Sequence, residues 1–117
     1  EDGTVDCIET DHAPHTLEEK QVTPPMSAPS GVPGGETMLP LLLTAASGKW
    51  EDRKITIEQI KKLCFENPNR IFNLGRSDTE IIEVDLDAEW TIHAKELHSQ
   101  CDWTPFEGWE VVGKVVS

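Results

Sequence analysis

The chain has 117 residues, a length that suits one ordinary domain and rarely holds two. Its 22 acidic and 10 basic residues give a formal charge of −12, which repels phosphate backbones and anionic lipid. Binding to nucleic acid or to a membrane surface is therefore disfavoured, and small molecules or proteins are the expected partners. The three cysteines are widely spaced and form no CxxC pair, which argues against a disulfide framework and favours a cytoplasmic location.

Neither end of the sequence resembles the end of a complete protein. The chain starts at Glu1 without a methionine and stops within an apolar run, so we expect both ends to have been cut from a longer protein. The longest apolar run, over residues 38–46, is far shorter than the roughly 20 residues that a membrane-spanning helix needs.

The first predicted element is a short strand over residues 4–10, TVDCIET, of the type buried on both faces. This prediction places Asp11 just beyond the carboxyl end of the strand. Residues 21–35 are rich in proline and glycine and predict a loop, named here the proline-glycine loop. Long loops of this kind often act as lids or bind ligands.

Two helices are predicted after this loop. The first covers residues 36–48, with Pro40 in its first turn and Gly48 as its stop, and its apolar character predicts burial. The second begins at Thr56, which forms a capping box with Gln59 three residues later.

A short helix and two strands complete the chain. Residues 66–75 predict a helix that starts near a proline and closes at Gly75, with three core anchors, Ile71, Phe72 and Leu74. Alternating apolar and acidic residues over 79–92 predict a strand with one wet face, and residues 109–116 repeat the signal. The loop between these strands holds Trp103 and Phe106 as packing residues, together with His93, His98 and Cys101, which we interpret as solvated. A strand that needs partners on both sides, followed by helices and antiparallel strands, indicates a fragment of a larger α/β protein.

The sequence DHAPH, residues 11–15, places one carboxylate and two imidazoles close together and is named here the DHAPH segment. A carboxylate at the carboxyl end of a strand is a usual place for catalytic or metal-binding groups in α/β barrels, and imidazole is a common zinc ligand. Side chains this close in an extended turn do not easily converge on one ion, so a complete site needs ligands from elsewhere. On spacing alone, a turn capped by Asp11, with both histidines bonded to backbone carbonyls, is the favoured alternative.

Five segments in the same order resemble the C-terminal part of the dihydroorotases of the amidohydrolase superfamily: TDHAPHTLEEK, GVPGGETMLPLLLTA, NPNRIFNL, EWTI and DWTPFEGWEVVGKV. The likeness covers almost the whole chain and is greatest to the dihydroorotase domains of animal multifunctional pyrimidine-synthesis proteins. It implies an α/β fold, namely the C-terminal fragment of a (β/α)8 TIM barrel with a small accessory β domain. Residues 1–76 would supply the last barrel strand, the substrate loop and the following helices, and residues 77–117 the strands of the accessory domain.

The resemblance also implies an activity and the residues that carry it. The family interconverts N-carbamoyl-L-aspartate and L-dihydroorotate in de novo pyrimidine biosynthesis at a centre of two zinc ions. By this likeness Asp11 binds one zinc and carries the proton, and His15 binds a substrate carboxylate. The backbone of Ser30 and Gly31 would meet the substrate ring, whereas His12 has a supporting role.

Several partners and alternatives accompany this interpretation. The resemblance implies covalently linked carbamoyl-phosphate synthetase and aspartate transcarbamoylase domains and a homo-oligomer. The other zinc ligands of the family are missing from this sequence, so we expect the 117 residues alone to be inactive. The alternatives are another cyclic amidase of the dihydropyrimidinase or allantoinase type, a non-catalytic dihydroorotase-like scaffold, and a self-contained binding module.

Overall fold

The structure is a computed structural model that describes residues 2–51 and 55–116. Its helices and strands, in chain order, are Leu17–Lys20 (α1), Met38–Ser47 (α2), Ile57–Lys61 (α3), Asn67–Ile71 (α4), Val84–Thr91 (β1) and Glu110–Val115 (β2). A π-helical turn, Lys62–Glu66, joins α3 to α4, and single 3₁₀ turns lie at Pro25–Ser27 and Ala94–Glu96. Within the described ranges, no helix has the length and apolar character needed to cross a membrane.

The two strands form an antiparallel pair, as the alternation in the sequence predicts. Val84 lies opposite Val115, and Thr91 lies opposite Glu110. The register shifts between Asp85 and Glu89, where β1 carries more residues than β2. Because such a bulge breaks the two-residue period, the expected apolar face is interrupted, and Leu86 is 52% exposed.

Helix α2 packs on β2 through a buried hydroxyl group. Thr44 is fully buried, and its Oγ1 accepts a hydrogen bond of 3.0 Å from the backbone N–H of Val112. The same oxygen lies 2.6 Å from the carbonyl oxygen of Pro40, one turn earlier. Gly113 allows this close approach, because a Cβ added there would lie 2.8 Å from the Cβ of Leu43 at a φ of +99°.

The predicted end of α2 is confirmed, whereas its predicted burial is confirmed on one face only. Gly48 adopts the left-handed conformation directly after the helix, with a φ of 82°. The buried residues of the helix are Pro40, Leu43 and Thr44. The other side chains are partly or fully exposed, because the hairpin covers a single side of the helix.

The capping box at the start of α3 is confirmed. The Thr56 hydroxyl accepts from the N–H of Gln59 at 3.1 Å, and the Gln59 side chain accepts from the N–H of Thr56 at 2.9 Å. The helical backbone then continues through the π turn into α4, and Pro68 lies in the first turn of α4, as the sequence predicts. The missing N–H of proline therefore falls where the hydrogen-bonding pattern changes from the π turn to the α-helix.

The predicted core anchors after α4 are wrong for the described chain. The side chains of Ile71, Phe72 and Leu74 are 45%, 67% and 56% exposed. Burial of an apolar side chain requires an element that packs over it, and α4 contacts mainly the π turn before it.

Residues 4–10 are not assigned as a strand, although their sequence predicts one. They lie along the α3–α4 region, where the N–H of Ile8 donates to the carbonyl of Leu63 at 3.0 Å. The side-chain amide of Asn67 also donates to the carbonyl of Asp6 at 2.8 Å. A parallel strand exists only beside partner strands, and the described ranges place none next to this segment.

The carboxylate of Glu36 connects the residues before α2 to the loop between the strands. It accepts hydrogen bonds from the backbone N–H groups of His98 and Ser99 at 2.7 and 2.9 Å, and it lies 2.9 Å from the Nδ1 atom of His98. Burial acts to raise the pKa of Glu36, but the hydrogen bonds from His98 and Ser99 outweigh it and lower that pKa below the ordinary value of 4.5.

We expect replacement of Thr44 by valine to destabilise the chain by about 1–3 kcal/mol, because the N–H of Val112 loses its partner in a partly buried place. Replacement by serine keeps the hydroxyl and is the matched control, with a smaller loss. Urea unfolding of the three proteins measures the difference. A valine variant as stable as the original would contradict the role of this hydrogen bond.

The lowered pKa of Glu36 predicts a pH-dependent contribution to stability. Since the folded-state pKa lies below the ordinary value of 4.5, the contribution is complete above about pH 4.5 and is lost as the pH falls through the folded-state pKa. The difference in unfolding midpoint between the original chain and Glu36→Gln should therefore be largest above this range and should shrink in acid. An equal difference at pH 7 and pH 3 would rule this out.

Candidate functional site

Asp11 has an uncommon backbone conformation at the position where the sequence predicts a catalytic group. Its φ is 45°, in the left-handed region, which aspartate tolerates better than most residues. Its N–H donates to the carboxylate of Glu9 at 2.6 Å. Within residues 2–51 and 55–116 no donor contacts the exposed carboxylate of Asp11. Non-glycine residues in the left-handed region cluster at functional sites, so the backbone conformation of Asp11 supports the hypothesis that its carboxylate has a functional role.

His12 binds the backbone of the proline-glycine loop. Its Nδ1 atom accepts hydrogen bonds of 3.0 Å from the N–H groups of both Gly34 and Gly35. An imidazole nitrogen that accepts hydrogen bonds carries no proton, so the ring is the neutral tautomer with its proton on Nε2. The Nδ1 lone pair is thereby engaged, and Nε2 is the only ring nitrogen left for another ligand.

The DHAPH segment and the proline-glycine loop lie directly against each other. The N–H of Ala13 donates to the carbonyl of Val32 at 3.1 Å. Gly31 has a φ of +88°, and a Cβ added there would lie 2.6 Å from the methyl carbon of Ala13. Only glycine fits this position. The structure therefore brings together two of the segments that the sequence singles out.

Lys20 also holds the proline-glycine loop, and the sequence analysis did not identify it. Its ammonium group donates to the carbonyl oxygens of Pro29 and Gly31, the latter at 2.9 Å. The signal that could have located it is the capping box formed by Thr16 and Glu19, whose hydrogen bonds are 2.8 and 3.2 Å long. This box predicts a helical turn that begins after Thr16 and includes Lys20, whereas the contact of Lys20 with the loop follows from no local pattern.

His15 lies just before this helical turn, and both its side chain and its backbone carbonyl have a neighbour in the structure. Its side chain is 40% exposed, and its Nδ1 atom lies 3.6 Å from the carboxylate of Glu19. Its carbonyl oxygen accepts a hydrogen bond of 2.6 Å from the indole N–H of Trp103. Trp103 was predicted as a packing residue, and its polar contact with the DHAPH segment is a finding of the structure.

The two other histidines are each paired with a carboxylate. His98 contacts Glu36, as described above, and His93 has its Nδ1 atom 2.8 Å from the carboxylate of Glu107. Both histidines are exposed. In the described part of the chain, no three histidine, cysteine, aspartate or glutamate residues are grouped closely enough to hold a metal ion. These residues therefore do not form a zinc site by themselves, although the chemistry of Asp11 suits one oxygen ligand.

The larger hollows are not lined by Asp11 or His15. One of about 420 Å³ borders α4 and is lined by residues that include Phe65, Asn69 and Arg70. A second of about 400 Å³ lies in the loop between the strands and includes Trp103 in its lining. A third of about 260 Å³ is mostly apolar and has Thr10 in its lining.

No family model matches the chain, whereas individual relatives match nearly all of it. The multifunctional protein pyr1-3 of Dictyostelium discoideum is 53% identical over 112 residues, which are 96% of this chain and 5% of that protein. The multifunctional protein CAD of Squalus acanthias is 47% identical over 95% of this chain and 5% of its own length. The dihydroorotase of Halobacterium salinarum is 44% identical over 92% of this chain and 26% of its own length.

Among solved structures, the L-hydantoinase (dihydropyrimidinase) of Arthrobacter aurescens superposes with a TM-score of 0.82. The match has 28% sequence identity and covers 97% of this chain and 27% of the hydantoinase. The chain thus spans only a small part of each relative, from 5% of the multifunctional proteins to 26% of the dihydroorotase. By sequence, this chain is similar over almost all of its length to one part of a dihydroorotase and to one part of each of these multifunctional proteins.

Proposed function

We propose that the chain is part of a zinc-dependent dihydroorotase that interconverts N-carbamoyl-L-aspartate and L-dihydroorotate in pyrimidine biosynthesis. The observation that carries the proposal is the direct contact between the DHAPH segment and the proline-glycine loop, through the Ala13–Val32 hydrogen bond and the two hydrogen bonds to His12. The resemblance assigns both segments to the substrate site. The relatives named dihydroorotase and the multifunctional relatives support the same activity.

In this proposal the chain is the C-terminal part of a (β/α)8 barrel. Residues 1–76 supply the last barrel strand, the substrate loop and the helices after it, and residues 77–117 belong to an accessory β domain. The extended segment before Asp11 would pair with barrel strands of a longer protein. The superposition with the hydantoinase over 97% of the chain supports an arrangement of this type.

Asp11 carries the proton in the proposed reaction. In the hydrolytic direction it accepts a proton from the water that attacks the ring carbonyl, the ring C–N bond breaks, and the proton passes to the leaving nitrogen. In the synthetic direction the same steps run backwards. Its carboxylate is exposed and free of donors among the described residues, so it is available for this transfer.

His15 and the backbone of Ser30 and Gly31 bind the substrate in the proposed site. The Nδ1 atom of His15 faces Glu19 at 3.6 Å, which leaves Nε2 to donate to a substrate carboxylate. In the described ranges, no partner contacts the N–H groups of Ser30 and Gly31 or the carbonyl of Ser30. These backbone groups are therefore free to meet the polar edge of the substrate ring.

Asp11 would provide one oxygen ligand to a centre of two zinc ions, with the remaining ligands supplied by other parts of a longer protein. Zinc in such a centre lowers the pKa of bound water and polarises the carbonyl that is attacked. We further propose a cytoplasmic homo-oligomer in which carbamoyl-phosphate synthetase and aspartate transcarbamoylase domains are covalently linked. The multifunctional relatives support the linked domains.

A cyclic amidase that acts on hydantoins or dihydropyrimidines is the second candidate, and the similarity to the hydantoinase is the observation that favours it. Assays of the intact parent protein with dihydroorotate, hydantoin and dihydrouracil separate the two candidates. Turnover of dihydroorotate alone supports the dihydroorotase. Turnover of hydantoin or dihydrouracil, with no turnover of dihydroorotate, would reject the dihydroorotase in favour of the other cyclic amidase. A lack of turnover with all three substrates would favour a non-catalytic scaffold.

Replacement of Asp11 by asparagine in the intact protein should lower kcat by about 10²–10⁴-fold, because the amide cannot accept and return the proton. Part of the zinc should remain bound, since the amide oxygen is still a weak ligand. Steady-state kinetics in both directions and metal analysis by mass spectrometry test this. Near-normal kcat would remove Asp11 from the role of proton carrier.

The 117-residue chain by itself should show no dihydroorotase activity and should bind zinc weakly. The physical reason is that the described residues group no three metal ligands in one place. Isothermal titration calorimetry with zinc measures the difference in affinity between the isolated chain and the intact protein, which is the positive control. Robust turnover by the isolated chain would show that the site is complete within it.

A further inference from the structure

Two side chains, one in the DHAPH segment and one directly before the proline-glycine loop, bind the second half of that loop, one as a hydrogen-bond donor and the other as an acceptor. The ammonium group of Lys20 donates to the carbonyls of Pro29 and Gly31. The Nδ1 atom of His12 accepts from the N–H groups of Gly34 and Gly35. Each side chain thus binds two backbone groups, and the four bonds lie between residue 29 and residue 35.

The middle of the same stretch is held by contacts that involve no functional side chain. The N–H of Ala13 donates to Val32, and Gly31 lies so close to Ala13 that an added Cβ would approach its methyl carbon to 2.6 Å. The loop and the DHAPH segment are therefore in contact through His12 and Ala13. Ser30 lies between the residues that Lys20 binds and those that contact the DHAPH segment.

The contacts of Lys20 leave a particular set of backbone groups free. Lys20 donates hydrogen bonds to the carbonyls of the residues on either side of Ser30. The carbonyl of Ser30 itself has no partner among the described residues. The N–H groups of Ser30 and Gly31 are unpartnered in the same ranges. These are the groups that face the substrate ring in the proposed function, so Lys20 orients the peptide planes without occupying the atoms that would bind substrate.

We propose that His12 and Lys20 are positioning residues that together set the place of the Ser30–Gly31 backbone in the substrate site. This inference rests on the proposed function, because it assigns a purpose to the loop that the dihydroorotase reaction requires. Neither residue touches substrate or transfers a proton. Their effect on the reaction runs through the loop, so it should appear mainly in substrate binding.

The test uses the intact zinc-loaded protein with His12→Ala and Lys20→Met. Each variant should raise KM for dihydroorotate about tenfold and change kcat by less than about threefold, because ring binding weakens while Asp11 is untouched. His12→Asn should bring KM most of the way back to its original value, since the amide oxygen can accept hydrogen bonds close to the position of Nδ1. Lys20→Arg should restore it in part, and the exposed Lys62→Met is the matched control.

Amide hydrogen exchange provides a readout that a general loss of stability would not reproduce. Exchange at Gly34 and Gly35 should accelerate in His12→Ala and return towards normal in His12→Asn, with the amides of α2 unchanged. An unchanged KM in both His12→Ala and Lys20→Met would overturn the proposal. So would a His12→Asn variant as impaired as His12→Ala.

Failure of the proposed function gives a different result. If the intact parent protein does not turn over dihydroorotate, the dihydroorotase assignment fails. The exchange rates at Gly34 and Gly35 still decide whether His12 holds the loop, because they need no substrate. Unchanged exchange in His12→Ala, in a protein that does turn over dihydroorotate, would remove His12 from the positioning role alone.

Discussion

The hydrogen bond between the Thr44 hydroxyl and the backbone of Val112 is the contact on which the described fold depends. It joins residues 68 positions apart and gives β2 a partner on the side where residues 2–51 and 55–116 form no third strand. The missing side chain of Gly113 lets the strand lie directly on Leu43. Because β2 is paired with β1, this contact attaches the whole hairpin to α2.

Once the hairpin is attached, the loop between its strands reaches the N-terminal loops. The carboxylate of Glu36 accepts a hydrogen bond from the backbone N–H of His98, and the indole N–H of Trp103 donates to the carbonyl of His15. Residues on both sides of position 76 therefore shape the surroundings of the DHAPH segment. The proposed substrate contacts of His15 thus depend on a residue that is 88 positions away along the chain.

Features that depend on a few adjacent residues agree with the sequence. The capping box of Thr56 and Gln59 and the left-handed end at Gly48 are formed by groups within one helical turn, so local pattern is sufficient to predict them. Burial is different. Phe72 and Leu86 have the spacing of core residues but are exposed in the described chain, because an apolar pattern does not specify which element will cover it.

The sequence by itself determined the two helices that follow the proline-glycine loop, the antiparallel type of the last two strands, and the likeness of the DHAPH segment and the proline-glycine loop to those of dihydroorotases. It also placed a carboxylate, Asp11, where chemistry is expected. Only the tertiary structure decided what holds these segments together. The contacts of His12 and Trp103 join residues 22 to 88 positions apart, and the contact of Lys20 crosses an irregular loop. No helical or strand period relates such residues, so their partners are set by how the loops pack.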